Sequence, residues 1–412
     1  MISLNVEEIL LERVENMIYD LITRCVCCDG ANIKPLLDLR EQPLANNLIN
    51  HTAAYPLKTN LCVDCWHVQL SVAVDPNELF AEYLYVSGTS NTLMDHFKWF
   101  ASMATEYTQA SNVLEIACND GSQLDAFKDL GLDTYGVDPA QNLYALSSKN
   151  HKVICDFFDD SACARLEKES FDLIVAQNVV AHTADPHAML NAAAGMMHDD
   201  SLMMIQTSQS NMILNNEFDT IYHEHISFFS LHSMVRLASR SNLHVIDAFK
   251  SPIHGTSWIF VLSKQRRNHH RIKNALDLES SQGLTNMITY ERYVENCKSI
   301  QRDLKEKINQ LRNDGMMLIG YGAAAKGITL LNSIDESLDV IIDDNPLKQG
   351  LRCPGNNTKI LGNDLLRQID TSSVVFIPLA WNFFNEIQQR IKAVRSDDSD
   401  RFLRYFPRVE VI

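Results

Sequence analysis

Two Cys-x2-Cys pairs constrain this chain more than any other feature. Cys25-Val26-Cys27-Cys28 and Cys62-Val63-Asp64-Cys65 repeat one spacing across a loop-rich interval. Two such turns place four thiolates in a tetrahedral shell, the arrangement that closes around a structural zinc ion. With Cys25, Cys28, Cys62 and Cys65 as ligands no coordination position stays open, so the ion would supply folding energy to a segment too poor in apolar residues for its own core. Cys27 and His67 are alternative ligands, and neither improves on that set. The remaining cysteines read as buried thiols or site residues in a reducing, cytoplasmic compartment rather than as disulfides.

Length sets the number of units. For 412 residues, at about 150 residues per domain, two or three domains are expected. The texture divides the chain into a zinc-binding N-terminal module (1–75), a core in which short apolar runs alternate with helical patterns (76–265), and a second such alternation (266–412). The basic stretch Ser263–Ser281, with Arg266, Arg267, Arg271 and Lys273, reads as the linker before the third unit. Met1–Ile22 shows helical apolar spacing through Leu21 and Ile22 but is acidic, so no secretory signal is expected. No uncharged apolar run reaches about 18 residues, so no membrane span is expected. Thirty-six Lys and Arg against 52 Asp and Glu give a net charge of −16, the wrong sign for a nucleic-acid partner.

The central unit reads as a parallel α/β sheet. Asn112–Ala117 is a buried strand running into Cys118-Asn119-Asp120-Gly121-Ser122 and a helix from near Gln123. Thr134–Val137 is a second strand ending in Asp138, placed to accept both ribose hydroxyls of a bound nucleoside. Val153–Phe158 is a third, whose Asp156 and Phe157 could hold an adenine edge and face. Phe171–Ala176 and Ser201–Thr207 complete the set, with Asn178 and His182 just past the fourth strand at the ligand-binding carboxyl edge. A dinucleotide turn would carry glycines where this chain has Ala117 and Asn119, leaving less room for a pyrophosphate. An adenosine without phosphates fits better, and S-adenosylmethionine is the expected cofactor, with Glu115 at its methionyl end. Tyr85 and Ser87 lie where a connecting segment could cover that end. In the third unit, Met316–Gly327 reads as strand, glycine turn and helix, with Gly322 and Lys326 near any bound phosphate. Val374–Phe383 reads as a further strand that supplies aromatic rings to stack on a base.

Gln42–Asn47, the doubled Cys-x2-Cys, Tyr83–Ser90, Glu115–Gly121 and, most specifically, Glu217–Ser230 together resemble the S-adenosylmethionine-dependent sugar C-methyltransferases, over nearly the whole chain. The resemblance implies an α/β fold of three parts: a zinc-binding N-terminal module, a class I methyltransferase Rossmann-like core and a second Rossmann-like C-terminal domain. It implies a monomer that methylates C3 of a nucleotide-linked 4-keto-deoxyhexose, with Tyr222 and His225 at the catalytic positions. In that setting Gly322 and Lys326 would cradle the pyrophosphate of the nucleotide-sugar, and His182 would face the substrate.

The chemistry asks for such groups independently. A ketone acidifies the neighbouring C–H, and a histidine titrating near neutrality suits its removal. A hydroxyl donor can stabilise the oxyanion that develops. His225 is the expected base, Tyr222 the base or oxyanion donor, and Glu224 the group orienting an imidazole. On an extended segment Tyr222 and His225 would face opposite sides; on a helical turn they would share one. An O- or N-methyltransferase acting on another small acceptor is the alternative, and a non-catalytic zinc-ribbon adaptor is a third reading.

Overall fold

The computed structural model describes residues 19–48, 53–80, 86–89, 91–166, 170–208, 211–267, 269–369, 373–395 and 400–412. The helix expected over Met1–Ile22 lies mostly outside these residues. Its end is a strand instead: Tyr19–Leu21 pairs antiparallel with Val72–Val74, so its backbone groups are satisfied across the module rather than along a helix.

The central sheet has seven strands in the order His244–Ser251, Ser257–Ser263, Met197–Thr207, Phe171–Gln177, Asn112–Ile116, Asp133–Asp138, Lys152–Cys155. The Ser257–Ser263 strand alone runs antiparallel to its neighbours. Alternate side chains along each strand enter opposite layers, as a strand's two-residue period requires. Leu114, Ile116, Val137 and Ile174 pack toward the helices Pro186–Gly195 and Leu231–Arg240. Val113, Leu173, Val175 and Met204 pack toward Asn91–Thr108 and Ser122–Asp129. The third strand stops at Cys155, which leaves Asp156 and Phe157 in the following loop.

The stretch expected to be a linker is largely helical. His269–Ser281 packs on the central unit. Arg271 pairs with buried Asp247 at 2.8 Å, and Glu279 accepts the Leu231 and His232 amides at 2.8 and 3.1 Å, capping the Leu231–Arg240 helix. Arg271 and Glu279 are thus spent on specific partners, which the basic composition did not show.

A 27-residue helix, Met287–Asn313, follows and buries Tyr290, Tyr293, Cys297, Ile300, Leu304, Ile308 and Leu311 along one face, at the three- and four-residue spacing of an amphipathic helix. It leads to a six-stranded sheet ordered Ile360–Leu361, Val340–Ile342, Met317–Tyr321, Val374–Pro378, Arg401–Arg404, Glu410–Val411. Trp381–Phe383 is a separate 3₁₀ turn, not a continuation of the Val374–Pro378 strand.

The N-terminal module carries a four-stranded antiparallel sheet whose edge strand comes from far along the chain. Ile33–Pro43, Ala54–Cys62 and Val68–Leu70 are joined by Ser227–Phe228. One apolar core therefore contains Leu57, Leu61 and Val68 of the module, Phe218, Ile221 and Phe228, and Leu304, Ile328 and Ile377 of the C-terminal domain. No helix among the described residues is long and apolar enough to cross a membrane.

Candidate active site and zinc centre

The Sγ atoms of Cys25, Cys28, Cys62 and Cys65 all lie within 4.8 Å of one another. Cys25 and Cys65 are 3.5 Å apart, as are Cys28 and Cys62. A zinc ion about 2.3 Å from each sulfur in a tetrahedron would separate them by about 3.8 Å, so the set fits the ion. Each pair is followed by a left-handed residue, Asp29 (φ 61°) and Trp66 (φ 59°), and each turn is closed by a 2.8 Å amide bond back to its first cysteine. Of the alternatives, Cys27 falls outside the group of four mutually close sulfurs, and His67 Nε2 lies 3.2 Å from Ser227 Oγ.

At the cofactor edge the backbone keeps a glycine-turn shape without the glycines. Ala117 (φ 60°), Asn119 (φ 51°) and Gly121 (φ 85°) are all left-handed, a state that costs alanine about 1–2 kcal/mol. Glu115 is buried and its Oε2 has no partner. Burial first, then the charges of Asp138 and Asp120, raise its carboxyl well above the ordinary range. A buried acceptor without a donor is costly, and the ammonium of S-adenosylmethionine is a cationic donor of the kind that relieves it. Asp138 accepts the Asn119 and Ala140 amides, both at 2.8 Å, so it braces the turn while keeping a lone pair on each oxygen for a ribose.

The other expected cofactor residues are spread around that edge. Asp156 pairs with Arg165 at 2.5 Å and accepts the Phe157 amide at 2.9 Å. Asn178 is left-handed (φ 56°) and its buried Oδ1 has no partner. The Ser87 amide donates to Asn119 Oδ1 at 3.0 Å and the Gly88 amide to Asp120 Oδ2 at 2.8 Å, seating this segment on the turn. Tyr85 lies outside the described residues.

The Tyr222–His225 segment is a turn, closed by the His225 amide on the Tyr222 carbonyl at 2.8 Å. Both side chains therefore share one side, with Tyr222 Oη 2.8 Å from His225 Nε2. His225 Nδ1 lies 2.8 Å from the Thr220 carbonyl. A carbonyl only accepts, so Nδ1 carries the proton and Nε2 offers its lone pair to the phenol. Burial, then the neighbouring His182, holds the His225 pKa well below the usual histidine value; the two rings are 5.0 Å apart, edge to face. Burial also lowers His182, to about 4. The Thr220 carbonyl orients the imidazole, while Glu224 Oε1 accepts Asn46 Nδ2 at 2.5 Å, tying the turn to the N-terminal module.

In the C-terminal domain, Gly322 is left-handed (φ 88°), and the amide that follows it, on Ala323, donates to Asp343 Oδ2 at 2.7 Å. The Gly322 amide donates to the Ile342 carbonyl at 2.7 Å as well, so the first two donors of that glycine turn are committed within the protein. Lys326 Nζ lies 5.5 Å from the centre of the Trp381 ring. A cleft of about 590 Å³ opens between the two sheets, lined by His96, Trp99, Lys250, His254, Asn382 and Phe383. The sequence reading missed His96, Trp99, Lys250 and His254, which stand singly in unrelated segments and carry no spacing signal.

Three family models match successive parts of the chain: "Putative zinc binding domain" at residues 25–80, "Methyltransferase domain" at 89–248 and "C-methyltransferase C-terminal domain" at 252–407. The C-methyltransferase NovU of Streptomyces niveus is 27% identical over 411 residues, covering 95% of this chain and 97% of that protein. A ubiquinone biosynthesis O-methyltransferase of Rhodopseudomonas palustris (strain BisA53) is 30% identical over 102 residues, covering 24% of this chain and 40% of that protein. Among solved structures, an S-adenosylmethionine-dependent methyltransferase from Clostridium acetobutylicum ATCC 824 is similar with a TM-score of 0.33 and 11% identity, covering 41% of this chain and 91% of that chain. With zinc-binding, methyltransferase and C-methyltransferase C-terminal units matched in one order, the chain is a methyltransferase similar from end to end to a C-methyltransferase, and its four clustered cysteines fit a structural zinc ion.

Proposed function

We propose that this enzyme methylates C3 of a nucleotide-linked 4-keto-deoxy sugar by way of an enolate. The observation that carries the reading is the Tyr222–His225 pair: a buried imidazole with its proton fixed on Nδ1 by Thr220 and its lone pair at Nε2 directed to a phenol 2.8 Å away. When bound, S-adenosylmethionine supplies an electrophilic methyl on sulfur. His225 Nε2 takes the proton from the carbon beside the ketone, and the Tyr222 hydroxyl, released from Nε2, donates to the oxygen on which charge develops. That anion beside the ring raises imidazole basicity as the proton moves. His182, half-buried and uncharged, faces the sugar, and Lys326 presents its charge to the pyrophosphate near Gly322. Trp99 and Phe383 border the cleft where the base would stack. Glu115, Asp138 and Asn178 hold the cofactor, with Asp156 and Phe157 at its adenine end. We read the protein as a cytoplasmic monomer, the monomer being what the resemblance to the sugar C-methyltransferases implies.

The direct test uses a 4-keto nucleotide-sugar and carbon-13-methyl S-adenosylmethionine. Carbon NMR should place the label in a C–CH₃ group, and a label on oxygen or nitrogen would reverse the assignment. Three further results are expected. Tyr222→Phe should lower kcat by about 10²-fold, the usual cost of one oxyanion donor, without changing cofactor affinity by calorimetry. Glu115→Gln should weaken cofactor binding by about 10- to 100-fold, as loss of a charged hydrogen bond does. The pH profile follows from the sign of the His225 shift. A lowered pKa keeps the imidazole neutral and competent as pH falls through the ordinary histidine value of about 6.5. The acid limb of kcat that is lost in His225→Ala should therefore lie well below the ordinary histidine value, and a His225-dependent limb at or above that value would contradict the buried neutral base.

A further inference from the structure

The segment from Asn216 to Phe228 lies in sequence between the Met197–Thr207 and His244–Ser251 strands of the central sheet, yet it is fastened on both sides to the other two units. On the N-terminal side, His223 Nε2 lies 3.2 Å from the Tyr55 carbonyl and Glu224 takes Asn46. On the C-terminal side, Phe218 meets Phe406 edge-on at 5.8 Å, and Asp219 Oδ2 accepts the Trp381 indole N–H at 2.7 Å. Trp381 also packs edge-on against Phe406 at 5.3 Å, so two adjacent residues grip one pair of rings.

Asp219 is completely buried and its Oδ1 has no partner. Holding a carboxylate there on one strong donor is costly. Burial outweighs the Lys326 charge and the indole bond, and pushes its pKa up to about 7. A group so expensive to bury requires a physical explanation, and its position supplies one. Asp219 lies in the 3₁₀ turn Phe218–Thr220, immediately before the residue whose carbonyl holds His225 Nδ1 at 2.8 Å.

We propose that Asp219 is a positioning residue: its bond to Trp381 ties the catalytic turn to the C-terminal domain and so fixes the Thr220 carbonyl that orients the His225 imidazole. The role rests on His225 being the base. Truncating Asp219 leaves the indole N–H without its acceptor and frees the turn to rotate. The imidazole then loses the partner that selects its tautomer. A misplacement of about 1 Å at a reacting group can cost about 10²-fold in rate.

The test reads the tie apart from the reaction. The chain has four tryptophans, so a nitrogen-15 indole spectrum of the zinc-loaded enzyme is simple, and Trp381→Phe assigns the relevant signal. Histidine nitrogen-15 spectra, assigned with His225→Ala, report its tautomer. Asp219→Ala should move the Trp381 indole signal, convert His225 from the Nδ1–H form to a mixture and lower kcat by about 10²-fold, with cofactor affinity and zinc content unchanged. Trp381→Phe should shift the same tautomer signal. Asp219→Asn keeps an acceptor oxygen for the indole and should retain both signatures and most of the turnover. An Asp219→Ala enzyme with the wild-type His225 tautomer, or one that loses melting temperature while kcat is kept, would overturn the proposal. Full activity in His225→Ala would instead remove the base assignment, while the tautomer measurement still decides whether Asp219 governs that ring.

Discussion

Cys62→Ser will yield a protein that binds no zinc, melts far below the parent and transfers no methyl group. Structural zinc in small modules supplies about 10–16 kcal/mol of apparent binding energy, which matches or exceeds the whole stability of a typical domain, about 5–15 kcal/mol. The damage reaches the active site because the module's sheet carries the exit of the catalytic turn. Ser227 pairs with Gln69 and Phe228 with Val68, the Leu70 amide bonds the Ile226 carbonyl at 2.8 Å, and His67, just beyond the second cysteine pair, lies 3.2 Å from Ser227 Oγ. Metal content, thermal melting and turnover measured on one preparation check this. A metal-free Cys62→Ser protein with parental melting and activity would contradict it.

His225→Ala should lower kcat by about 10²–10⁴-fold, the contribution typical of a general base, while cofactor affinity stays near the parental value. The second expectation follows from position: Glu115 and Asp138 lie on the central sheet at Asn112–Ile116 and Asp133–Asp138, whereas His225 lies in a turn held by the other two units. Steady-state kinetics with calorimetry separate the two effects. Equal loss of affinity and turnover would show that the ring supports the cofactor site instead.

Features confined to short stretches of sequence were legible. The doubled cysteine spacing located the four sulfurs because each knuckle is a local turn. The apolar runs at Asn112, Phe171 and Ser201 located central strands because both faces of that sheet are buried. The choice between an extended and a helical geometry for Tyr222 and His225 needed the structure, and the turn resolves it. What escaped depends on distant pairing. Ser227–Phe228 is too short to read as a strand, and only its partner on the N-terminal sheet makes it one. The Ser263–Ser281 stretch reads as a solvated linker until Asp247 and the Leu231–Arg240 helix are present to receive Arg271 and Glu279. Ala117 and Asn119 suggested a departure from a glycine turn, but their left-handed backbone retains its shape at a local cost. Asp219 lay inside the most specific run of the chain and drew no attention, because a single aspartate has no pattern until Trp381 stands opposite it.

The central claim is that the Tyr222–His225 pair makes a carbon nucleophile before any methyl group moves. Proton NMR of a 4-keto nucleotide-sugar in deuterium oxide, with enzyme and no methyl donor, measures this most directly. The account predicts loss of the C3 hydrogen signal at a rate that collapses in His225→Ala. Retention of that hydrogen with the parent enzyme, under conditions where added S-adenosylmethionine gives methylated product, would contradict it.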